Sequence, residues 1–192
     1  MIKEEEKADL VYEVIQKRYS PVIFSDQQIG DDVLFRLFEA ARWAPSSFND
    51  QPWNFIYGRK GQDSVYKALF ETLMDDNKRK ARHAPVLVLS VANMISPTTH
   101  KENPYAFHDV GMAMGNLLLQ ATALDVYVHQ MGGYYKKKAR EILNIPRTHK
   151  PVAMMAMGYK GVFEKFPEDL QQKEQKPRTR REIKDFVFNK AF

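Results

Sequence analysis

The 192-residue chain contains no cysteine, which excludes disulfide bonds, thiolate nucleophiles and sulfur-ligated metal centres. Any redox chemistry must therefore come from a bound cofactor. No apolar run is long enough to cross a bilayer, and the acidic amino terminus lacks the apolar stretch of a signal peptide. We therefore expect a cytoplasmic protein with no membrane partner.

Several site motifs are also missing. The five histidines show no metal-ligand spacing, so the sequence predicts no metal, and His108-Asp109 reads as a helix-start pair rather than a catalytic dyad. There is no Gly-x-Ser-x-Gly elbow for a serine nucleophile and no glycine-rich loop of the dinucleotide-binding type. Covalent catalysis and a separate nicotinamide-binding domain are both disfavoured.

The residues that are present indicate one globular domain spanning 1–192, with 44% hydrophobic and 28% charged residues. The net charge of +5 is concentrated near the end, where residues 173–184 hold six basic residues against two acidic ones. Taken alone, such a segment is more often a solvated tail than a specific site, and a nucleic-acid surface is the alternative.

Apolar spacing predicts alternating helices and strands and hence an α+β fold, or an α/β-like one, with a small mixed sheet flanked by helices. The run from Pro85 to Ala92 is apolar and β-branched throughout, which predicts a central strand covered on both faces. The other expected elements are a helix ending near Arg18, a helix from Asp31 to about Trp43, a strand from Asn54 to Arg59, a helix starting near Asp63, strands from Val126 to Gln130 and from Pro151 to Tyr159, and a helix from Lys136 to Leu143.

The segment from Ala106 to Leu124 is apolar almost all round and rich in glycine and alanine, so it predicts a buried helix. Small residues allow close helix packing. The partner helix could belong to the same core or lie across a dimer interface.

The segment from Pro45 to Trp53 is the densest group of hydrogen-bonding side chains. It reads Pro-Ser-Ser-Phe-Asn-Asp-Gln-Pro-Trp, and its serine, asparagine and glutamine groups could match the donors and acceptors along a flavin edge. A capped helix end followed by a turn explains the same residues equally well on physical grounds.

This segment resembles the pattern Pro-Ser-x-x-Asn-x-Gln-Pro-Trp of the nitroreductase family, which binds FMN. The resemblance implies a nitroreductase-like fold, a mainly antiparallel mixed sheet, and a homodimer in which this segment reaches the flavin bound mainly by the other subunit. The flavin contacts implied in this segment are Pro45, Ser46, Ser47, Asn49 and Gln51.

Four further segments match the family in the same order along the chain. Lys17-Arg18-Tyr19-Ser20 resembles the early phosphate and ribityl contact, which implies roles for Arg18 and Ser20. The family usually places a cation two residues after this serine, whereas this chain has Val22. Lys17 or backbone amides are candidates to replace it. Asn77 is similar to an asparagine that faces the flavin, although it could equally be a helix surface residue.

The remaining two segments lie in the second half of the chain. Gly132-Gly133 resembles a loop whose main chain approaches flavin N5, where glycine permits close contact. Arg178 and Arg180 resemble a basic pair that closes on the FMN phosphate, with Arg181 as the alternative to one of them. Residues 183–188 resemble an extended segment added to the partner's sheet, so 170–192 is expected to embrace the dimer.

The resemblance implies an FMN-dependent oxidoreductase that takes hydride from NADH or NADPH by a ping-pong mechanism and reduces an electron-poor small molecule such as a nitroaromatic or a quinone. No side chain need act as an acid or base. Tyr105, Phe107 and Tyr134 are candidates to stack on substrate. Flavin reduction, dehalogenation or flavin binding with little turnover are the alternatives, and no nucleic-acid partner is expected because the charge is confined to one segment.

Overall fold

The computed structural model describes residues 11–191. Short 3-10 turns occupy Ser47–Asn49, Phe163–Lys165 and Ile183–Asp185. Within the described range the helices are α1 (Glu13–Lys17), α2 (Asp31–Arg42), α3 (Ser64–Thr72), α4 (Asp75–Ala81), α5 (Ala106–Ala123), α6 (Lys136–Ile142) and α7 (Glu168–Glu174), and the strands are β1 (Trp53–Arg59), β2 (Val86–Asn93), β3 (Tyr127–Met131) and β4 (His149–Gly158).

The sheet has the strand order β1-β2-β4-β3, and all three neighbouring pairs are antiparallel. The α+β class is confirmed, and the four strands within residues 11–191 make only antiparallel pairs. A mixed sheet would depend on the exchanged carboxy-terminal segment, which stays a prediction, and residues 183–185 of that segment form a 3-10 turn. Strand β3 lies at one edge, which leaves its outer side available to other groups.

Strand β2 lies inside the sheet and is buried on both faces, as its uninterrupted apolar sequence predicts. Alternate side chains point to opposite faces, so Val86 and Val88 pack in one core and Leu87 and Leu89 in the other. The first core is closed by α2 and α5, and the second by α3 and α6. The result is a sheet with helices on both faces.

Helix α5 is buried on only one face within a single chain. Leu117 and Ala113 face the sheet, whereas Gly111 and Gly115 have no neighbouring atom within 4 Å of an added Cβ. The prediction of a buried helix is therefore confirmed for the face that packs on the sheet and α2, and cover of the other face by a partner chain stays a prediction. Trp43, which is 73% exposed, lies beside the uncovered side near the helix end.

The carboxy-terminal region has two parts. Helix α7 takes up residues 170–174 of the expected dimer-embracing tail, and its Leu170 is buried against Val22 and Ile23 of the same chain. Residues 176–191 run exposed over the surface. Exchange of this segment with a partner subunit stays a prediction. No helix among residues 11–191 is both long and apolar enough to span a membrane.

Candidate functional site

The loop after α2, residues 45–51, has a backbone conformation that is unusual for these residue types. Phe48, Asn49 and Gln51 have φ values of 52°, 56° and 46°, in the left-handed region that favours glycine. Such residues persist only where surrounding contacts hold them. One of these contacts lies within the loop, because the backbone N–H of Gln51 donates to Ser46 Oγ at 3.0 Å.

Two buried carboxylates anchor this loop to the rest of the chain. Asp50 accepts hydrogen bonds from Thr98 Oγ1 at 2.8 Å and from Asn103 Nδ2 at 3.3 Å. Asp109 Oδ2, in the first turn of α5, accepts a bond from the Ser47 amide at 3.1 Å. Sequence reasoning missed both anchors. The available signal for Asp50 was its place inside the motif, whereas Asp109 lies 62 residues from Ser47 and gave no such signal.

A second group of predicted residues meets where α1 ends. Arg178 donates from NH1 to the carbonyl oxygens of Gln16 at 2.7 Å and Arg18 at 2.9 Å. Partial burial lowers the pKa of Arg18, and the nearby charges of Arg180 and Arg178 lower it further. Among residues 11–191 no carboxylate lies within ion-pair distance of these three arginines, so their charges are available to an anion.

A cavity of about 450 Å³ lies beside the arginines. Two buried polar atoms in its lining, the Tyr19 hydroxyl and Glu174 Oε1, form no hydrogen bond of good geometry within the described chain, although burial and then the nearby Glu174 carboxylate raise the pKa of Tyr19. Such atoms are costly unless a ligand or water satisfies them. The cavity is lined by Arg18, Tyr19, Ser20, Lys173, Glu174, Lys176, Arg178 and Arg180. Lys176 was not among the site residues predicted from the sequence.

Val22 does not face this cavity with its side chain. The side chain is 6% exposed and packs in the small core with Ile23 and Leu170. Only its backbone N–H turns towards the cavity, where it donates to Glu174 Oε2 at 2.7 Å. An apolar residue at this position therefore serves packing, which gives a physical reason for the departure from the family pattern.

Ser20 joins the arginine cavity to the edge strand β3. Its hydroxyl lies 3.4 Å from the Val128 carbonyl oxygen and 3.3 Å from His129 Nδ1. Three residues further on, β3 leads into Gly132 and Gly133. The arginine cavity and the glycine loop therefore lie at the two ends of one exposed strand edge.

Asn77 is in direct contact with the glycine loop. Both were predicted to face one cofactor, and that role stays a prediction. Asn77 Nδ2 donates to the Gly133 carbonyl oxygen at 2.9 Å, and a Cβ on Gly133 would lie 2.6 Å from that nitrogen. A Cβ on Gly132 would meet no atom within 4 Å. A side chain at Gly133 would therefore displace the Asn77 side chain and its hydrogen bond, whereas Gly132 borders open space.

Helix α4 carries a cation that the sequence reading did not identify. Lys80 Nζ lies 2.5 Å from Asp76 Oδ2, and Lys173 Nζ lies 2.9 Å from Asp76 Oδ1. Hydrogen bonds from Lys80 and then Lys173 lower the pKa of Asp76 to about 2. The charge of Lys80 also reaches His129 on β3. Lys80 therefore lies near β3.

The structure divides the predicted site residues into two groups. The loop is anchored at Asp109 in the first turn of α5, whereas Val14 of α1 lines one cavity together with Ala123 at the last turn of α5. The 14 residues between Asp109 and Ala123 correspond to about 21 Å of helix. One group holds Arg18, Ser20, Asn77, Gly132, Gly133, Arg178 and Arg180, and the other holds Pro45, Ser46, Ser47, Asn49 and Gln51.

Comparison with known proteins identifies the family. The family model described as "Nitroreductase family" matches residues 15–159. The chain belongs to the nitroreductase family. A crystal structure of an oxidoreductase containing FMN is 32% identical, with a TM-score of 0.88 over 95% of this chain and 92% of that one.

Two other relatives extend this nitroreductase assignment. A protein of Archaeoglobus fulgidus, provisionally named an NADH dehydrogenase/NAD(P)H nitroreductase, is 28% identical over 76% of this chain and 83% of its own length. A provisionally named nitroreductase from Desulfovibrio desulfuricans, solved in complex with FMN, has a TM-score of 0.72 at 22% identity over 95% and 99% of the two chains. At that identity the likeness shows the fold alone.

The half-buried position of His129 predicts that the stability of the folded chain depends on pH. Burial, and then the charge of Lys80, lowers the pKa of His129 below its ordinary value of 6.5. The folded chain thus binds fewer protons than the unfolded chain between the two pKa values, so stability is greatest above pH 6.5 and falls as the pH drops below it. Urea unfolding of wild type and His129→Gln between pH 5 and 8 measures this. A wild-type slope that the variant retains would contradict the assignment to His129.

Proposed function

We propose that this chain is an FMN-dependent oxidoreductase that uses NADH or NADPH and reduces an electron-poor small molecule such as a nitroaromatic or a quinone. The observation that carries the proposal is the continuous edge of β3, with a partnerless arginine cavity at one end and open space at Gly132 at the other. The FMN in the related oxidoreductase and the names of the relatives support it.

The arginine cavity fits the phosphate and ribityl parts of FMN. Arg18, Arg178 and Arg180 supply the positive charge that a phosphate needs when it leaves water. The unpaired Tyr19 hydroxyl and Glu174 Oε1 can exchange hydrogen bonds with ribityl hydroxyls. A phosphate bound here would end the mutual repulsion of the three guanidinium groups.

The other end of the strand edge fits the flavin ring. From Val128 to Gly132 a strand advances about 13 Å, the scale of an extended ribityl phosphate with part of the ring. Gly132 lets the main chain approach the ring, and Asn77 holds the loop in place through Gly133. The cation that the family usually places near the ring would come from Lys80, which is paired with Asp76 and whose charge reaches His129.

Bound FMN would supply the redox chemistry, by accepting hydride from the nicotinamide and passing electrons to the acceptor in a second half-reaction. The chain's own residues bind and orient the cofactor and exclude water from it. None of them has to transfer a proton.

A homodimer completes the proposed site. In one chain the loop at residues 45–51 and the arginine cavity lie towards opposite ends of α5, so the loop would act on the FMN of the partner subunit. The uncovered face of α5, with Gly111 and Gly115, is the surface on which two chains would pack. The exposed segment from 176 onwards would extend over the partner.

A visible spectrum followed by anaerobic addition of NADH or NADPH tests the function. A yellow protein that bleaches on addition, and recovers its colour with a nitroaromatic or a quinone, is the expected result. A protein that stays colourless with excess FMN contradicts the proposal. A yellow protein that neither reductant bleaches would instead favour flavin binding without turnover, the alternative raised by Val22.

Gly132→Ala separates a cofactor role from a packing role. An added Cβ meets no atom of the chain, so the free protein should keep its unfolding free energy within about 0.5 kcal/mol. If the main chain at Gly132 contacts the flavin ring, the methyl group crowds it, and we expect FMN to bind about 10-fold more weakly. Fluorescence titration with FMN measures this. Gln62→Ala, at an exposed position outside the proposed flavin site and the α5 face, is the control, and equal FMN affinity in the two variants would contradict the approach of Gly132 to the flavin ring.

A further inference from the structure

A second basic cavity, of about 280 Å³, lies between the start of α5, helix α6 and the start of β4. It begins just after the glycine loop, because Lys136 is the third residue after Gly133. Its lining contains four cations and no acid. The lining residues are Phe107, Lys136, Lys137, Arg140, Lys150 and Pro151.

One of these cations is fixed in place by the backbone. Arg140 donates from NH1 to the carbonyl oxygens of Ile145 at 2.9 Å and Pro146 at 2.5 Å, and from NH2 to that of His149 at 2.7 Å. Neutral carbonyls orient the guanidinium without cancelling its charge. The cavity therefore has a positive wall whose position does not depend on a mobile side chain.

The three lysines add charge that the described chain does not neutralise. Lys136, Lys137 and Lys150 form no ion pair among residues 11–191, unlike Lys173 of the arginine cavity, which pairs with Asp76. The neighbouring Lys138 turns away from the cavity, because its Nζ donates to the Glu71 carbonyl oxygen at 3.3 Å. Adjacent lysines are thus divided between the cavity and another surface.

An aromatic ring completes the cavity. Phe107 is 46% exposed although it lies in the first turn of α5, and Lys150 Nζ is 5.9 Å from its ring centre. An exposed ring beside several cations suits a ligand that combines a planar ring system with a phosphate, since the ring can stack and the phosphate can pair.

The position of the cavity relative to the glycine loop indicates which ligand with a planar ring and a phosphate would bind there. Three residues of extended chain span at most about 11 Å, so Lys136 lies within that distance of the glycine loop. Nicotinamide that stacks on a flavin ring at this loop would carry its adenosine a comparable distance away. NADPH has an adenine ring and a 2′-phosphate at that end, whereas NADH has a hydroxyl group in place of the phosphate.

We propose that this cavity binds the 2′-phosphoadenosine end of NADPH and makes NADPH the preferred reductant. The phosphate pairs with Lys136, Lys137 and the fixed Arg140, and the adenine stacks on Phe107. This inference rests on the proposed function, because it places the nicotinamide over a flavin at Gly132. The competing ligand for this cavity is an anionic electron acceptor that pairs with the same cations.

Direct binding tests the cavity without any turnover. Isothermal titration of the purified protein with 2′,5′-ADP and with 5′-AMP should show the 2′-phosphate compound binding at least about 10-fold more tightly, the effect of roughly one charge-assisted hydrogen bond. Lys136→Gln with Lys137→Gln should remove the difference. Lys138→Gln, one residue away, should retain it. Equal binding of the two nucleotides by wild type overturns the proposal.

Steady-state kinetics provide the second measurement. We expect kcat/KM for NADPH to exceed that for NADH, and the double variant should lower the NADPH value about 10-fold while the NADH value changes little. A wild type that prefers NADH overturns the proposal. A double variant that loses activity with NADPH and with NADH equally also overturns it. A double variant that changes only the KM of an anionic acceptor assigns the cavity to the acceptor instead.

The two proposals fail in different ways. If the protein binds no FMN, or if neither nucleotide bleaches it, the oxidoreductase proposal fails. If both NADH and NADPH bleach it with equal efficiency, the oxidoreductase proposal stands and the NADPH cavity is rejected.

Discussion

Protein carrying both Arg178→Ala and Arg180→Ala is expected to purify without colour and to bind FMN about 10²- to 10⁴-fold more weakly than wild type. Each arginine would give the phosphate a charge-assisted hydrogen bond worth about 1.5–3 kcal/mol, and every 1.4 kcal/mol is a factor of ten. The half-buried Arg18 would remain as the only arginine of the cluster. Equilibrium dialysis with FMN measures the loss.

The single variants separate binding from folding. Arg178 also bonds the carbonyl oxygens of Gln16 and Arg18, so its loss affects the fold as well. The side-chain hydrogen bond of Arg180 goes to the carbonyl of its neighbour Thr179, so Arg180→Ala should keep the melting temperature and still lose affinity. Arg147→Ala removes an exposed charge elsewhere and serves as the charge control. If Arg180→Ala and Arg147→Ala bind FMN equally, Arg180 is not a phosphate ligand.

Asp50→Ala is expected to lower the unfolding free energy by about 2–4 kcal/mol. The substitution leaves two buried donors, Thr98 Oγ1 and Asn103 Nδ2, without their acceptor, and each unsatisfied group costs about 1–3 kcal/mol. It also releases a loop whose left-handed residues are held by their surroundings. Urea unfolding, with and without saturating FMN, measures both effects.

The matched control is Asp32→Ala, because the Asp32 carboxylate is 72% exposed and lies 4.0 Å from Arg36. Exposed pairs of this kind contribute at most about 1 kcal/mol. Asp50→Ala should therefore be clearly less stable than Asp32→Ala, and FMN should stabilise it less than it stabilises wild type. Normal stabilisation by FMN would mean that the loop does not contact the flavin.

Much of the fold could be predicted from local sequence. The apolar run that forms β2 and the three- and four-residue spacing that forms α2 each encode burial within one element. The bounds agree within about two residues, as when the helix predicted from Asp31 to about Trp43 ends at Arg42. The family and the α+β class followed from such features together with the loop motif.

The contacts that organise the site could not be predicted in this way. Asp50 pairs with Thr98 across 48 residues, and Asp109 pairs with the Ser47 amide across 62. A single sequence gives no sign of which buried acid meets which distant donor. The sequence also could not predict which face of α5 its own chain leaves uncovered. An apolar helix has the same residue pattern whether it packs against its own chain or against another.

The hydrogen bonds from Arg178 to Gln16 and Arg18 join parts of the chain about 160 residues apart. A phosphate held by the same guanidinium groups would clamp both ends of the polypeptide. Cofactor binding stabilises whatever state it binds, so the apoprotein should expose its last 15 or so residues to proteases far more often than the holoprotein. Flavin supply would then set the lifetime of the protein in the cell as well as its activity.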